Sequence, residues 1–318
     1  MPASSSALPQ SRVDWKAALA SLPDTPQRIP SFFFAHGSPM LEMTPARAPH
    51  MAQVISYAGA DGSLAQFLRD FGPALLEKYK PKAILVFSAH WDTPGERLVT
   101  DYGEENPLLM DYFGFDREFY ELKFSSRGDG AIAARVVEAF KEAGLRARTT
   151  PATESRGRDG RGFNGPGLDH GVFIPFRLMF GHTFRSIPII SASMDSTLTA
   201  TANWAIGAAV ARLREEGVLV LSGGLTVHNL RSFADFTPDT ASEPVKAFSE
   251  AVTQAIAISD PAKRKDALVA LEKHPGYRLA HPHPDHFVPL YVAAGAGADG
   301  DVRVLSALYG CHAAAFGL

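Results

Sequence analysis

Three apolar runs in this sequence each lead into a histidine. Phe32-Phe33-Phe34-Ala35 meets His36-Gly37-Ser38-Pro39, Ala83–Ala89 meets His90-Trp91, and Val218–Gly224 leads shortly into His228-Asn229. Two more histidines stand at similar junctions, His170 in Leu168-Asp169-His170-Gly171 and His286 in Pro284-Asp285-His286-Phe287. One such residue on its own is ordinarily structural. Several imidazoles delivered to element ends point instead to a metal centre. Imidazole suits Zn, Fe, Ni and Cu, so donor type does not choose the ion. Three protein ligands with the other positions open would serve either a zinc hydrolase or a non-haem iron oxygenase. There is no His-Glu-x-x-His helix, no Gly-x-Ser-x-Gly elbow and no Walker loop. The lone Cys311 excludes an intrachain disulfide and a Cys-rich zinc site, which leaves nitrogen and oxygen donors.

To bring these side chains together the chain needs a scaffold with a common rim. The three histidine-bearing runs read as buried strands, and open α/β sheets bind ligands outside the carboxyl ends of such strands. Between the first two runs, Leu41–Ser63 is rich in Pro, Ala and Gly and reads as a loop or insertion, with His50 exposed in it. Leu64–Lys80 has helical spacing with Pro73 expected to split it, so the unit is strand–helix–strand and the strands are expected to be parallel. Helices are expected over Ala131–Gly144, Val172–Phe180, Leu198–Glu215, Glu243–Ile258, Pro261–Lys273 and from His286 to Ala294. Further strands are expected at Leu145–Thr149 and Ile187–Ala192, with Val302–Leu308 finishing the sheet. The aromatic segment from Asp111 to Phe124 suits a pocket wall or a packed surface loop. Glu154–Gly167 is Gly- and Arg-rich and reads as a mobile loop or lid, or as a solvated connection. The expected fold is α/β, one globular domain around a mostly parallel central sheet with helices on both faces.

Composition narrows the function classes. At 318 residues and 46% hydrophobic content the chain can bury a large core. A net charge of −3 gives no reason to expect a nucleic-acid or anionic-membrane partner. No uninterrupted apolar stretch of ~18 residues, the length a membrane span needs, is present. Residues 1–29 are tinged with Ser, Pro and Gln and read as a loosely attached N-terminal arm to a catalytic domain at 30–318. They lack the basic flank and apolar core of an export signal, so a cytoplasmic location is expected. Nothing in the sequence specifies an oligomer.

Taken in order, the motifs His36-Gly-Ser-Pro, Ser88-Ala-His90-Trp91, Leu168-Asp-His170-Gly171, Val227-His228-Asn229-Leu230-Arg231 and Pro284-Asp-His286-Phe resemble the class III extradiol ring-cleavage dioxygenases. The likeness includes Asp111-Tyr-Phe-Gly-Phe and the tail Pro289–Ala296, and it is strongest to the 4,5-DOPA dioxygenase-like branch. That resemblance implies an Fe(II) enzyme, in which Zn(II) can also lodge, that inserts O2 into a catechol-type substrate and releases a ring-opened semialdehyde. It implies His36 and His90 as metal ligands. It also implies His286 in place of the glutamate of the protocatechuate-cleaving relatives; the neighbouring Asp285 is the alternative ligand, one that points elsewhere if a helix starts here. His228 matches a family histidine grouped with the ligands or serving as acid/base. His170 matches one that borders the substrate and would orient it or O2. His281 and His283 match no motif. Two departures bear on the pocket mouth: the His36–His90 segment and the Arg-rich loop are longer than in small bacterial members. Arg156, Arg158 and Arg161 in that loop are either recognition groups for a substrate carboxylate or solvent-facing. Alternatives on the same scaffold are a zinc-dependent hydrolase and a non-enzymatic, Memo-like metal-binding protein.

Overall fold

The aromatic run before His36 is a strand, β1 (Ser31–Ala35), with every residue buried, in a computed structural model that describes residues 8–24, 28–47, 52–156 and 165–318. The remaining strands are β2 (Ala83–Thr93), β3 (Glu96–Asp101), β4 (Ser125–Ser126), β5 (Arg146–Pro151), β6 (Thr183–Phe184), β7 (Ile189–Asp195), β8 (Val218–Gly224), β9 (Val302–Leu308) and β10 (Cys311–Phe316). The helices are α1 (Arg12–Ala20), α2 (Ala52–Ala58), α3 (Ser63–Tyr79), α4 (Gly130–Glu142), α5 (His170–Phe180), α6 (Ala200–Val210), α7 (Glu243–Ile256), α8 (Pro261–Ala270), α9 (Tyr277–Ala280) and α10 (Pro289–Ala296).

Among the described residues, eight strands form one sheet in the order β5-β3-β7-β2-β8-β1-β10-β9, and β4 with β6 makes a small separate ribbon. The four central strands, β7, β2, β8 and β1, are mutually parallel. Antiparallel pairings flank them: β10 runs against β1, and β3 against β7. Alternation along the strands feeds two cores. Phe33, Leu85, Phe87 and Val220 face a layer built with α4, α6, α7 and α10. Phe32, Phe34, Ile84, Val86, Leu219 and Leu221 face the layer of α1, α3 and α5. Each buried Phe is worth roughly 1.5–3 kcal/mol against exposure, so these strands are fixed in register from both sides. The expected α/β architecture with helices on both faces is what the chain forms.

Several details differ from the sequence reading. β1 and β2 are parallel but not neighbours, because β8 lies between them. The sheet does not finish at β9. The chain turns at Tyr309-Gly310 and returns as β10, inserted between β9 and β1. β3 had no expected counterpart, and α3 runs unbroken through Pro73. Of the segment expected as a loop after His36, the described part holds two short 3-10 turns and α2, and His50 lies outside the described residues. The described N-terminal residues are not a loose tail. Trp15 is buried and its indole N–H donates to Asp70 on α3 at 3.0 Å, while Arg12 reaches the same carboxylate at 2.9 and 3.0 Å. Among the described residues no helix is long and apolar enough to cross a membrane.

Candidate metal centre

The site begins with strand register. Ala35 pairs with Gly224, and Ser88 pairs with Gly223, so β1 and β2 reach the same level on either side of β8. Strands two apart in a sheet are separated by roughly 9.5 Å. Between them β8 presents only Gly223 and Gly224, and the rings of His36 and His90 close over this gap to a centroid distance of 4.9 Å. The ladder continues to the site itself, since His36 N–H donates to the Gly224 carbonyl at 3.0 Å. A Cβ on Gly224 would lie 2.4 Å from the His286 carbonyl oxygen, so only glycine lets that backbone approach. There the same carbonyl accepts from Leu225 N–H at 2.8 Å. Strand β2 contributes a bulge. From the pair Phe87/Ala192 to the pair Asp92/Met194, β2 advances five residues while β7 advances two. Residues 88–91 therefore bow out of the β2–β7 ladder, a device that re-aims side chains beside sites, and His90 is among them.

One nitrogen from each of His36, His90 and His286 lies within 4.8 Å of the others, and all three residues are buried. The closest pair is His90 Nε2 and His286 Nε2, 3.1 Å apart. Carboxylates fix the tautomers. His90 Nδ1 faces Asp169 Oδ1 and Asp111 Oδ2, each at 3.2 Å, and His286 Nδ1 faces Asp285 Oδ1 at 2.8 Å. A carboxylate beside Nδ1 holds the proton there, so both Nε2 lone pairs face each other, an arrangement a shared cation relieves. Two imidazole nitrogens bound to one ion at ~2.1 Å stand about 3 Å apart when they meet it at a right angle. Among the described residues, neither buried ring nitrogen of His36 has a hydrogen-bond partner, a costly state for polar atoms unless an ion is their partner. Burial pushes the His36 imidazole well below its usual range, and His90, His170 and His228 act in the same direction against Asp169. A neutral imidazole is what ligation requires. The donor set fits a divalent ion.

A layer of acids supports these rings. Asp169 caps α5, its Oδ1 accepting from Gly171 N–H at 2.9 Å and from Ser88 Oγ at 2.6 Å. Burial would raise its carboxyl, but Arg156 and His90 outweigh that and hold it low. Asp111 accepts at Oδ1 from both the backbone N–H and Nδ1 of His170, at 2.9 and 2.7 Å. Burial opposes its charge too, and His170 and His90 still keep it well below the ordinary carboxylate range. Asp285 turns to His286 rather than to the shared nitrogens.

The other histidines separate clearly. His228 is half-buried and lies flat on His286, with centroids 3.5 Å apart and planes at 13°. Its nitrogen groups with a carboxylate oxygen of Asp285 and a nitrogen of His286, not with the nitrogens of His36 and His90. His170 opens α5 and sits 4.0 Å from His90, ring to ring, with Asp111 on its far nitrogen. Its imidazole is lowered by burial, against the pull of Asp111. His281 is a core residue whose Nε2 meets the Thr226 carbonyl at 3.0 Å, and the His283 side chain is 66% exposed. Tyr112, from the aromatic segment, is buried and stands edge-on to His170 at 5.5 Å, whereas its neighbour Phe113 is exposed. Arg156 is not solvent-facing, and it binds Asp169 instead of an open pocket; Arg158 and Arg161 lie outside the described residues. Sequence reasoning assigned no role to Asp111, Asp169 or the Gly223-Gly224 pair. The available signals were an Asp directly before His170 at a helix start and a strand ending in two glycines.

Residues 30–316 match the model of a family described as the catalytic LigB subunit of aromatic ring-opening dioxygenase. A "4,5-DOPA dioxygenase extradiol-like protein" of Schizosaccharomyces pombe is 39% identical over 306 residues, covering 96% of this chain and 97% of that protein. The "4,5-DOPA dioxygenase extradiol" of Beta vulgaris is 29% identical over 272 residues, covering 85% and 87% respectively. In fold, the chain is similar to the crystal structure of an uncharacterized Escherichia coli K12 protein, with a TM-score of 0.63 at 24% identity over 91% of this chain and all of that one. With a histidine cluster fit for a metal ion at the rim of this sheet, the chain belongs to the LigB family of aromatic ring-opening dioxygenases, in its 4,5-DOPA dioxygenase-like branch, and is an extradiol dioxygenase.

Proposed function

We propose that the chain is an Fe(II)-dependent extradiol dioxygenase acting on DOPA or another substituted catechol and releasing a ring-opened semialdehyde. The observation that carries this reading is the pair of Nε2 atoms of His90 and His286, 3.1 Å apart, beside a His36 ring whose nitrogens have no hydrogen-bond partner among the described residues. In the proposed assignment His36, His90 and His286 hold the ion. Bound there, Fe(II) would supply Lewis acidity toward the two vicinal catechol oxygens and redox chemistry toward O2.

The remaining work falls to this chain. His228 can take the proton of the second catechol hydroxyl and return one later in the reaction, since an imidazole serves as either acceptor or donor. Its half-buried position leaves it open to substrate while the stack on His286 fixes its plane. His170 keeps its Nδ1 proton on Asp111, so Nε2 is the atom left to orient substrate or O2. Tyr112 backs that ring and limits its rotation. Three imidazoles add no negative charge, so an ion held by them would keep its full charge toward a substrate bound as an anion. We place the catalytic unit at 30–318, with the earlier residues as a segment outside it. The single buried thiol, Cys311, suits the reducing cytoplasm. The test is to load the protein with Fe(II) without oxygen and add a panel of catechols including DOPA. Yellow semialdehyde appearing only on admission of air is the expected result. Turnover without oxygen, as a hydrolase would give, defeats the reading.

A further inference from the structure

The Arg-rich segment before His170 was expected to be a lid or a solvated connection, yet its Arg156 has one of the largest fully buried side chains in the fold. The guanidinium is committed to the metal centre's supporting layer. Nη1 donates to Asp169 Oδ2 at 2.8 Å and to the Gly167 carbonyl at 3.0 Å, while Nη2 donates to the carbonyl of His90 at 3.2 Å. Its Cζ lies over the Trp91 ring, 4.6 Å from the centroid, and the Trp91 indole N–H donates back to the Arg156 carbonyl at 2.8 Å. Arg156 therefore grips the 90–91 bulge through its backbone and its indole, and takes one oxygen of Asp169. The other oxygen of Asp169 is thereby left to His90 Nδ1 at 3.2 Å, to Ser88 and to Gly171.

We infer that Arg156 is a positioning residue for His90, locking Asp169 in the orientation that sets the tautomer and ring angle of this ligand, and so setting how tightly the centre binds its ion. The inference rests on the reading of His90 as a metal ligand. Its physical basis is that groups holding a ligand's far nitrogen govern affinity, typically by about 10- to 100-fold. A guanidinium is suited to the task because its donors leave in fixed directions. It can meet a carboxylate and two carbonyls at once while its central carbon lies over an indole, and an ammonium cannot.

The experiment uses the metal-free full chain titrated with Co(II), whose visible absorption reports both occupancy and ligand geometry. Wild type, His90→Ala, Arg156→Met and Arg156→Lys are compared, with far-UV circular dichroism of each metal-free protein. The expected result is loss of Co(II) binding in His90→Ala. Arg156→Met should raise the Co(II) Kd about 10- to 100-fold with an altered visible spectrum, and Arg156→Lys should fall between it and wild type. If Arg156→Met does not fold, Arg156→Lys, which keeps the charge opposite Asp169, decides by the same two readouts. Wild-type affinity and spectrum in the folded Arg156 variants, with binding lost in His90→Ala, overturns the inference and leaves the metal-centre reading standing. Co(II) binding that is absent from wild type or unchanged in His90→Ala removes the metal-centre reading and this inference with it.

Discussion

His228 lies parallel to His286 at contact distance, a placement that, in the proposed assignment, keeps the acid/base group distinct from the ligand. His228→Gln should therefore keep Fe(II) binding while kcat falls by roughly 10²- to 10⁴-fold, the usual share of a positioned acid/base. The pH–rate profile should also lose the limb that this imidazole contributes. A profile unchanged in shape would refute the assignment. The histidines that gather at the rim were legible in the sequence because several apolar runs each lead into one, a pattern that single structural histidines do not produce. Their carboxylate partners were not. Asp169 is also a helix cap and Asp111 sits among aromatics, and an aspartate in a loop or at a helix start has common structural explanations. Arg156 was hidden by its setting, since Gly- and Arg-rich sequence around it reads as solvated.

At the level of elements, the site depends on where a strand carries no side chains. Gly224→Ala would set a Cβ against the His286 carbonyl and the Pro289 ring. Overpacking of this kind costs about 1–3 kcal/mol, and the displaced backbone carries a proposed ligand. The variant should lower the denaturation midpoint and weaken metal binding together, as read by urea titration and Co(II) uptake. Strands β1, β2 and β8 were legible because fully buried parallel strands are written as unbroken apolar runs. β10 was not, since Cys311-His-Ala-Ala-Ala-Phe316 is rich in alanine, which has little strand preference. β3, Glu96-Arg-Leu-Val-Thr-Asp101, is short and polar at both ends. Pro73 misled because an interior proline generally breaks a helix. Here Phe71 and Leu75 on either side of it remain buried in the core, and packing outweighs the lost hydrogen bond.

Across the whole molecule, stability should carry a pH signature that is independent of the metal centre. His312 is buried between the hydroxyls of Thr226 and Thr253, each at 2.6 Å, and burial pushes its imidazole down to about 4. In the unfolded chain the same group titrates near ~6.5. Between these values the unfolded state binds the extra proton, so stability is full above pH ~6.5 and is lost as the pH falls toward 4. The loss by pH 5 is about 2 kcal/mol for this one residue. His312→Gln should flatten the difference in urea-unfolding free energy between pH 7 and pH 5 by that amount. An unchanged difference would show that the proton is taken up elsewhere. The N-terminal segment makes a separate case. Its composition suggested a loose arm, but composition averages over Trp15, whose burial against α3 outweighs the polar residues around it. Trp15→Ala should cost about 3 kcal/mol in the same assay, with the metal affinity unchanged, because the indole sits on the core layer and not at the rim.

The proposed ligands come from positions 36, 90 and 286, and the glycine gap they lean across belongs to a strand at 218–224. No short peptide cut from this chain can assemble the cage, and the last donor is synthesised after nearly nine-tenths of the protein. The ion must therefore arrive late, at a scaffold already standing on its two hydrophobic layers. Unlike small zinc domains, which collapse when stripped, this protein should survive chelation as an ordered, refillable vessel.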